Sequence, residues 1–424
     1  MDGIGMASQN SERDLSAWLT YLETLHPKVI DLGLERCKTV AQAADLLSLN
    51  CPVITVGGTN GKGTSVALLE TAFLAAGYQV GVYTSPHLLA YNERVRINGV
   101  PVDDAMLCAA FSAIEAVRGD TSLTYFEFGT LAALWLFKQT SFDVIVLEVG
   151  LGGRLDAVNI IDADVALIVS VALDHMEFLG DNREAIGYEK AGIMRANKPA
   201  ICGDISTPQS VRDYAQEIGA KLFCQGKNFT YEQKGDTWNW WNQHQQFIGL
   251  PLPKIPLQNA AAVLEVFDVL PKALKITRPV IEKALQTVRV TGRLQIIEGP
   301  VCLILDVAHN PAAAQWLAGQ LAKIPNQGHT LAVFSMLADK DQLGTIIPLI
   351  DQVDSWYVGE LNVKRRADIA TLTYNLKTVG ARNIYEYETV TAAYQAAVSQ
   401  AQPNDQILVF GSFYTVAEVL RLQL

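Results

Sequence analysis

No pair of cysteines in this chain stands at metal-binding or redox spacing. The six cysteines, Cys37, Cys51, Cys108, Cys202, Cys224 and Cys302, are scattered through 424 residues without a C-x-x-C pair. That pattern argues against a zinc ribbon or a disulfide framework and predicts buried, reduced thiols in a cytoplasmic protein. Long apolar runs are equally lacking. None approaches the roughly 18 residues of a membrane span. The stretch from Met1 to Asp14 is polar, with Glu12, Arg13 and Asp14 where a signal peptide would have its apolar core. Positive charge is short as well: 33 lysines and arginines face 44 acidic residues, a net charge of −11. Such a chain is a poor general binder of nucleic acid or anionic membranes, although a local positive pocket can still hold a small anion. No internal repeat or low-complexity tract is evident.

What is present is apolar substance in a regular rhythm. Half of the residues are hydrophobic, enough for a large core, and the length makes two domains the natural expectation. From Cys51 to about Pro199, short apolar runs alternate with helix-like segments. Pro52–Val56 and Gln79–Tyr83 read as strands, and Val144–Glu148 and Val165–Val171, nearly continuous apolar runs, as strands covered on both faces. Ser65–Ala76 and Asp103–Arg118 read as helices, the second with Met106, Leu107, Ala110, Phe111, Ile114 and Val117 on one face. Repeated strand–helix units predict a doubly wound, mostly parallel α/β sheet. Phe229–Phe247, with Trp238, Trp240 and Trp241 among polar residues, reads as an antiparallel excursion or loop. Helix-like segments follow from Asn259 and from Pro279. The strand pattern then restarts at Val301–Asp306, Thr330–Phe334, Ser355–Val358 and Gln406–Phe410. A boundary near Arg293–Pro300 gives domains 1–293 and 294–424, the second smaller and also α/β.

The stretch Gly57-Gly58-Thr59-Asn60-Gly61-Lys62-Gly63-Thr64-Ser65 joins a buried strand to a helix. Glycines let several backbone N–H groups face one anion, and the helix N-terminus adds partial positive charge. Lys62 supplies a full charge to terminal phosphates, and Thr64 or Ser65 a hydroxyl for Mg²⁺. Gly63 between the lysine and Thr64 departs from the usual spacing. The bland alternative is a glycine-rich turn that caps a helix.

Ligands of open α/β sheets bind beyond the carboxyl ends of the strands. Val56 leads into the phosphate loop, Tyr83 into Thr84-Ser85-Pro86-His87, Leu147 into Glu148, and Val171 into Asp174-His175. Four strands would thus deliver lysine, hydroxyl, carboxylate and imidazole to one edge. Glu148 is the natural magnesium carboxylate. His175 could equally be a hydrogen-bonded structural residue.

These motifs together resemble the folylpolyglutamate synthase family of the Mur ligase superfamily. Gly58-Thr-Asn-Gly-Lys-Gly-Thr64, Tyr83-Thr-Ser-Pro-His-Leu88, Leu147-Glu-Val-Gly-Leu-Gly-Gly-Arg-Leu-Asp156, Leu173-Asp-His175, Glu189-Lys-Ala-Gly-Ile193 and Asp306-Val-Ala-His-Asn-Pro311 carry the likeness. It runs from about Leu15 to Val419. Ile30-Asp-Leu-Gly-Leu-Glu-Arg36 and Leu123-Thr-Tyr-Phe-Glu-Phe-Gly129 look like the bacterial members that also make dihydrofolate. Thr291, where proline is common, and Ser335, where glycine is common, depart from the pattern.

The resemblance implies a Mur-ligase-like ATP domain followed by a smaller Rossmann-like domain. It implies an ADP-forming ligase that adds L-glutamate to dihydropteroate and to the γ-carboxylate of reduced folates through an acyl phosphate. By matching motif, Gly58, Thr59, Asn60, Gly61, Lys62, Gly63, Thr64 and Ser65 would hold ATP, with Asn259, Arg293 and Asp306 on the nucleotide. Thr64, Ser85, Glu148, His175 and a carbamylated Lys190 would hold two Mg²⁺ ions; a monovalent cation is left open. His309 and Ser412 would lie around the incoming glutamate, and Thr124, Phe126 and Asp156 around the dihydropterin. Lys62, His175, Lys190 and His309 form the implied catalytic set. A monomer without nucleic-acid or membrane partners is implied too.

Each assignment has a plainer rival. Lys190 could be a solvated helix lysine beside an acid. Asp306 and Asn310-Pro311 could be turn residues. Phe126 could be a core aromatic, and Phe128 reads as one. Arg293 could be a surface hinge charge. A peptidoglycan ligase would need a sizeable domain ahead of Gly57, where only about fifty residues stand. A nucleotide-dependent switch would bind or hydrolyse ATP without needing glutamate.

Overall fold

The computed structural model describes residues 13–423. Most of the polar stretch read as lacking a signal core therefore lies outside the described residues. Two compact units divide between Val288 and Arg289, shortly before the Arg293–Pro300 stretch.

The first unit is built on an eight-stranded sheet. Its strands are β1 (Val53–Gly57), β2 (Val80–Tyr83), β3 (Val95–Ile97), β4 (Val100–Pro101), β5 (Val144–Glu148), β6 (Val165–Ile168), β7 (Pro199–Cys202) and β8 (Lys221–Cys224). The spatial order is β4-β3-β2-β5-β1-β6-β7-β8. From β2 to β8 every pairing is parallel, and β3 and β4 add an antiparallel edge. Residues of β1, β2, β5 and β6 are all buried, which explains their unbroken apolar runs. Helix Asp104–Arg118 buries Leu107, Ala110, Phe111 and Ile114. Asp103 precedes it as a cap, accepting from Met106 N at 2.8 Å, and Val117 in its last turn stays exposed. Phe128, Phe111 and Trp18 pack as one aromatic group in the core.

The Trp-rich excursion is a separate antiparallel sheet of β9 (Phe229–Lys234), β10 (Thr237–Asn242) and β11 (Gln246–Pro251). Trp238 and Trp240 are fully buried, while Trp241 points outward. The indole of Trp240 donates to Ala261 O at 3.0 Å, which ties this sheet to helix Leu257–Val269.

The second unit carries β12 (Gln295–Ile297), β13 (Cys302–Asp306), β14 (Thr330–Phe334), β15 (Ser355–Gly359), β16 (Ile384–Tyr387) and β17 (Gln406–Phe410). Their order is β12-β13-β17-β14-β15-β16, parallel except for the β12–β13 pair. Phe334, Trp356 and Phe410 pack edge to face or tilted at its centre. Among the described residues, no helix is long and apolar enough to cross a membrane.

Candidate active site

Strands β2, β5, β1 and β6 are consecutive neighbours in the sheet. Their carboxyl ends therefore bring the Ser85 turn, Glu148, the phosphate loop and the loop to His175 to one edge. The phosphate loop turns through Gly58 at φ +146 and Gly61 at φ +84, the latter in the left-handed region that suits glycine. Helix Lys62–Ala75 starts immediately afterwards. The Lys62 ammonium lies along the loop and donates to Gly58 O at 2.9 Å. Thr64 Oγ1 donates to Gly61 O at 2.9 Å and accepts from Asn259 Nδ2 at 2.8 Å. Ser65 is fully buried, and its hydroxyl has no hydrogen-bond partner.

Glu148 closes the edge beside this loop. Its Oε2 accepts from Ser85 N at 3.2 Å, and a Cβ on Gly63 would stand 3.8 Å from its Oε1. Beyond β6, the chain is laced to the phosphate loop: Thr59 N donates to Ser170 O at 2.9 Å and Asn60 N to Ser170 Oγ at 3.0 Å. Asp204 accepts from Val171 N, and Arg183 donates to both Val171 O and Asp204. These three residues steady the loop that ends at His175, which adopts φ +50 and starts the short helix Met176–Leu179. Ser170, Arg183 and Asp204 escape sequence reading, because they belong to no quoted motif themselves and their partners lie 12 to 110 positions away.

Lys190 is not a solvated lysine. It is buried near the end of helix Arg183–Ala191, where Gly153 has no side chain to keep that helix away. Burial, and then repulsion from Lys62, lower its pKa to about 7. The Arg154 guanidinium holds neighbouring Glu189 at 2.7 Å. Among the described residues no three His, Cys, Asp or Glu side chains gather as a ready-made metal site. The expected metal set is of another kind: hydroxyls, one carboxylate, one imidazole and a modified lysine.

Thr124 caps helix Tyr125–Lys138. Its hydroxyl accepts from Glu127 N at 3.2 Å, while Glu127 Oε2 accepts from Thr124 N at 2.8 Å. Phe126, half-buried, lies 6.0 Å from the Tyr83 ring and leans on Gly150, where a Cβ would come within 2.7 Å of it. Asp156 is buried and accepts from Leu151 N at 2.8 Å and Val158 N at 3.0 Å. Burial raises its pKa to about 6 against the pull of those amides. Asp156 thus organises its own loop.

In the second unit, β13, β17 and β14 are adjacent, and their ends carry Asp306, Ser412 and Ser335. Asp306 is buried, accepts from Leu294 N at 2.7 Å and Ala308 N at 2.8 Å, and has a raised pKa caused mainly by burial. His309 Nδ1 lies 2.8 Å from Val307 O, and its ring sits 6.0 Å from that of Phe413. The Arg293 guanidinium covers the other aromatic approach, 5.1 Å from the Phe413 centroid. Asn310 and Ser412 both cap helices, accepting from Ala313 N and Thr415 N. Ser335 is buried with an unpartnered hydroxyl, and its carbonyl accepts from Thr415 Oγ1.

Known proteins match this architecture closely. The model of the Mur ligase middle domain matches residues 56–248, and that of the Mur ligase glutamate ligase domain matches 292–413. The dihydrofolate synthase/folylpolyglutamate synthase of Escherichia coli K12 is 47% identical over 408 residues, 96% of this chain and 95% of its own. The Haemophilus influenzae protein of the same name is 44% identical, covering 95% of this chain and 96% of its own. Escherichia coli FolC in complex with DHPP and ADP superposes with a TM-score of 0.93 at 46% identity, covering 97% of this chain and 98% of that one. A bifunctional folylpolyglutamate synthase/dihydrofolate synthase with Mn, AMPPNP and L-glutamate bound gives 0.91 at 48%, covering 98% and 99%. Relatives at this identity span nearly the whole chain, with both ligase domains in order, and the chain therefore belongs to the dihydrofolate synthase/folylpolyglutamate synthase family of Mur ligases.

Proposed function

We infer that this chain is an ATP-dependent, ADP-forming ligase that adds L-glutamate to dihydropteroate and to the γ-carboxylate of reduced folates. The observation that carries the reading is the convergence of four adjacent strand ends on the Lys62 loop, in a chain whose relatives bear both activity names over nearly its full length.

A carboxylate and an amine do not condense in water without activation. ATP would phosphorylate the acceptor carboxylate to an acyl phosphate, and the glutamate amine would then displace phosphate through a tetrahedral intermediate. Lys62 would neutralise charge on the transferring phosphoryl group, and the loop amides would hold its neighbours. The hydroxyls of Thr64 and Ser65, the Ser85 turn and Glu148 fit a hard, oxygen-preferring cation, and His175 would add a nitrogen donor. The buried, unpartnered Ser65 hydroxyl and the Glu148 carboxylate beside Gly63 support that fit. Two Mg²⁺ ions, when bound, would supply charge neutralisation on the phosphates. A carbamate on Lys190 would complete the set, since a lysine with its pKa near 7 offers a neutral amine to carbon dioxide. Phe126 would stack on the pterin, with Thr124 and Asp156 around it. Asn259, Arg293 and Asp306 would border the nucleotide, and His309 and Ser412 the incoming glutamate. The six unpaired cysteines fit a reducing cytoplasm, and a monomer suffices for this chemistry.

The test is phosphate release from ATP. It should require both an acceptor (dihydropteroate or a reduced folate) and L-glutamate. Release that persists at the same rate without glutamate would favour a nucleotide-driven switch and defeat the ligase reading.

A further inference from the structure

We propose that Arg36 is a positioning residue that sets how well the protein holds dihydropteroate; this rests on the acceptor pocket assigned above. Arg36 is the second residue of helix Glu35–Ala43. Its guanidinium is a bridge. One Nη lies 2.7 Å from Asp31 Oδ2. The other donates to Asp31 O at 2.8 Å and to Glu127 Oε1 at 3.0 Å. Glu127 is almost wholly buried, and its second oxygen accepts from Thr124 N. A continuous chain therefore runs from Asp31 through Arg36 and Glu127 to Thr124. It joins the Ile30–Arg36 segment to the helix start that carries Thr124 and Phe126, 91 residues away.

Two features separate this from an ordinary surface ion pair. The Arg36 Nε is buried without a hydrogen-bond partner, a cost that an exposed pair would not bear. Asp31 is also gripped from its own loop, by Lys28 at 3.0 Å and His26 at 3.3 Å. His26 is in turn held by Ser122, just ahead of Thr124, at 2.7 Å. The loop and the helix start are thus cross-tied twice, and the guanidinium is the inner tie. Removing it leaves Glu127 buried without its cation and loosens the capping box that aims the first turn, Phe126 included. Dihydropteroate lacks a glutamate tail, so it has fewer other contacts to compensate.

Steady-state kinetics of R36A, R36K and E127Q, with dihydropteroate and with a reduced monoglutamyl folate, test this. R36A should raise the KM for dihydropteroate about tenfold and that for the folate less, with kcat and the KM for ATP near wild type. R36K keeps the charge but loses the fork, and should fall between. E127Q should act in the same direction, and the R36A/E127Q double variant should be no worse than the worse single one. Should R36A fail to fold, R36K must show the same split. An unchanged dihydropteroate KM overturns the proposal, as does a rise in the KM for ATP that keeps step with it. Wild-type protein that never uses dihydropteroate would defeat the acceptor reading itself, a result distinct from an Arg36 variant with wild-type kinetics.

Discussion

Asn259 Nδ2 donates to Thr64 Oγ1 at 2.8 Å, joining residues 195 positions apart. The contact exists because Gly61 has no side chain: a Cβ there would stand 2.3 Å from the Asn259 amide nitrogen. Helix Leu257–Val269 thereby braces the phosphate loop from behind. The brace and the Gly61 carbonyl together hold the threonine hydroxyl from two sides.

Gly61→Ala should therefore damage nucleotide binding in two ways, by straining a backbone at φ +84 and by expelling the Asn259 amide. The expected result is a KM for ATP raised about tenfold or more. Asn259→Ala should cause part of this loss, having only the second defect. Kinetics with ATP varied at saturating acceptor would check both, and a Gly61→Ala protein with normal ATP kinetics would contradict the brace.

Lys62→Ala should abolish ligation to either acceptor while the fold persists, because its ammonium contacts loop carbonyls and packs in no core. Circular dichroism and thermal unfolding should match wild type. Near-normal turnover with either acceptor would sink the phosphate-loop assignment.

Lys190 should carry a carbamate. Protein equilibrated with ¹³C-labelled bicarbonate should give a carbamate carbon signal that is absent from Lys190→Ala. That variant should lose nearly all metal-dependent turnover and regain some with an added small carboxylate such as acetate. A well-resolved complex with nucleotide and metal, in which the side chain ends at a bare ammonium, would refute it.

Asp156→Ala should harm dihydropteroate ligation about tenfold more than folate extension. Folate extension should fall too, since the carboxylate also holds the amides of Leu151 and Val158. Equal losses for both acceptors would make Asp156 a loop residue alone.

Much of this was legible in the sequence, and the reason is local. Strands covered on both faces appear as apolar runs, so β1, β2, β5 and β6 could be read, and a phosphate loop declares itself by glycines and a lysine. The edge strands β3 and β4 were missed: Val95–Ile97 and Val100–Pro101 are too short to show a period. The environment of Lys190 was also hidden, because its burial depends on Gly153 and Arg154, some 35 residues earlier. Thr124 and Asp156 are proposed around the pterin by the family resemblance alone. The Thr124-x-x-Glu127 spacing is itself a capping-box pattern, whereas nothing local shows that Asp156 is held by two backbone amides.

Glu265 offers a test of stability against pH away from the site. Burial raises its pKa to about 7, with Asp268 adding to the rise and Asn242 opposing it. The folded chain then binds a proton that the unfolded chain has released between about pH 4.5 and 7, so stability contributed here falls as pH rises through that window. Glu265→Gln should raise the thermal midpoint at pH 8 by roughly 2–4 °C and change it little at pH 5. The Gln oxygen can still accept from Asn242. An equal shift at both pH values would show that charge is not the cause.

The place of β1 in its sheet has a consequence for synthesis. Both of its neighbours, β5 and β6, are made much later than β1 itself. A chain leaving the ribosome with Gly57 already outside but Val144 not yet added carries an apolar strand with two open edges. The phosphate loop, early in the sequence, consequently gains its sheet neighbours only later in translation. Over the intervening residues that strand is open to pairing with the wrong neighbour.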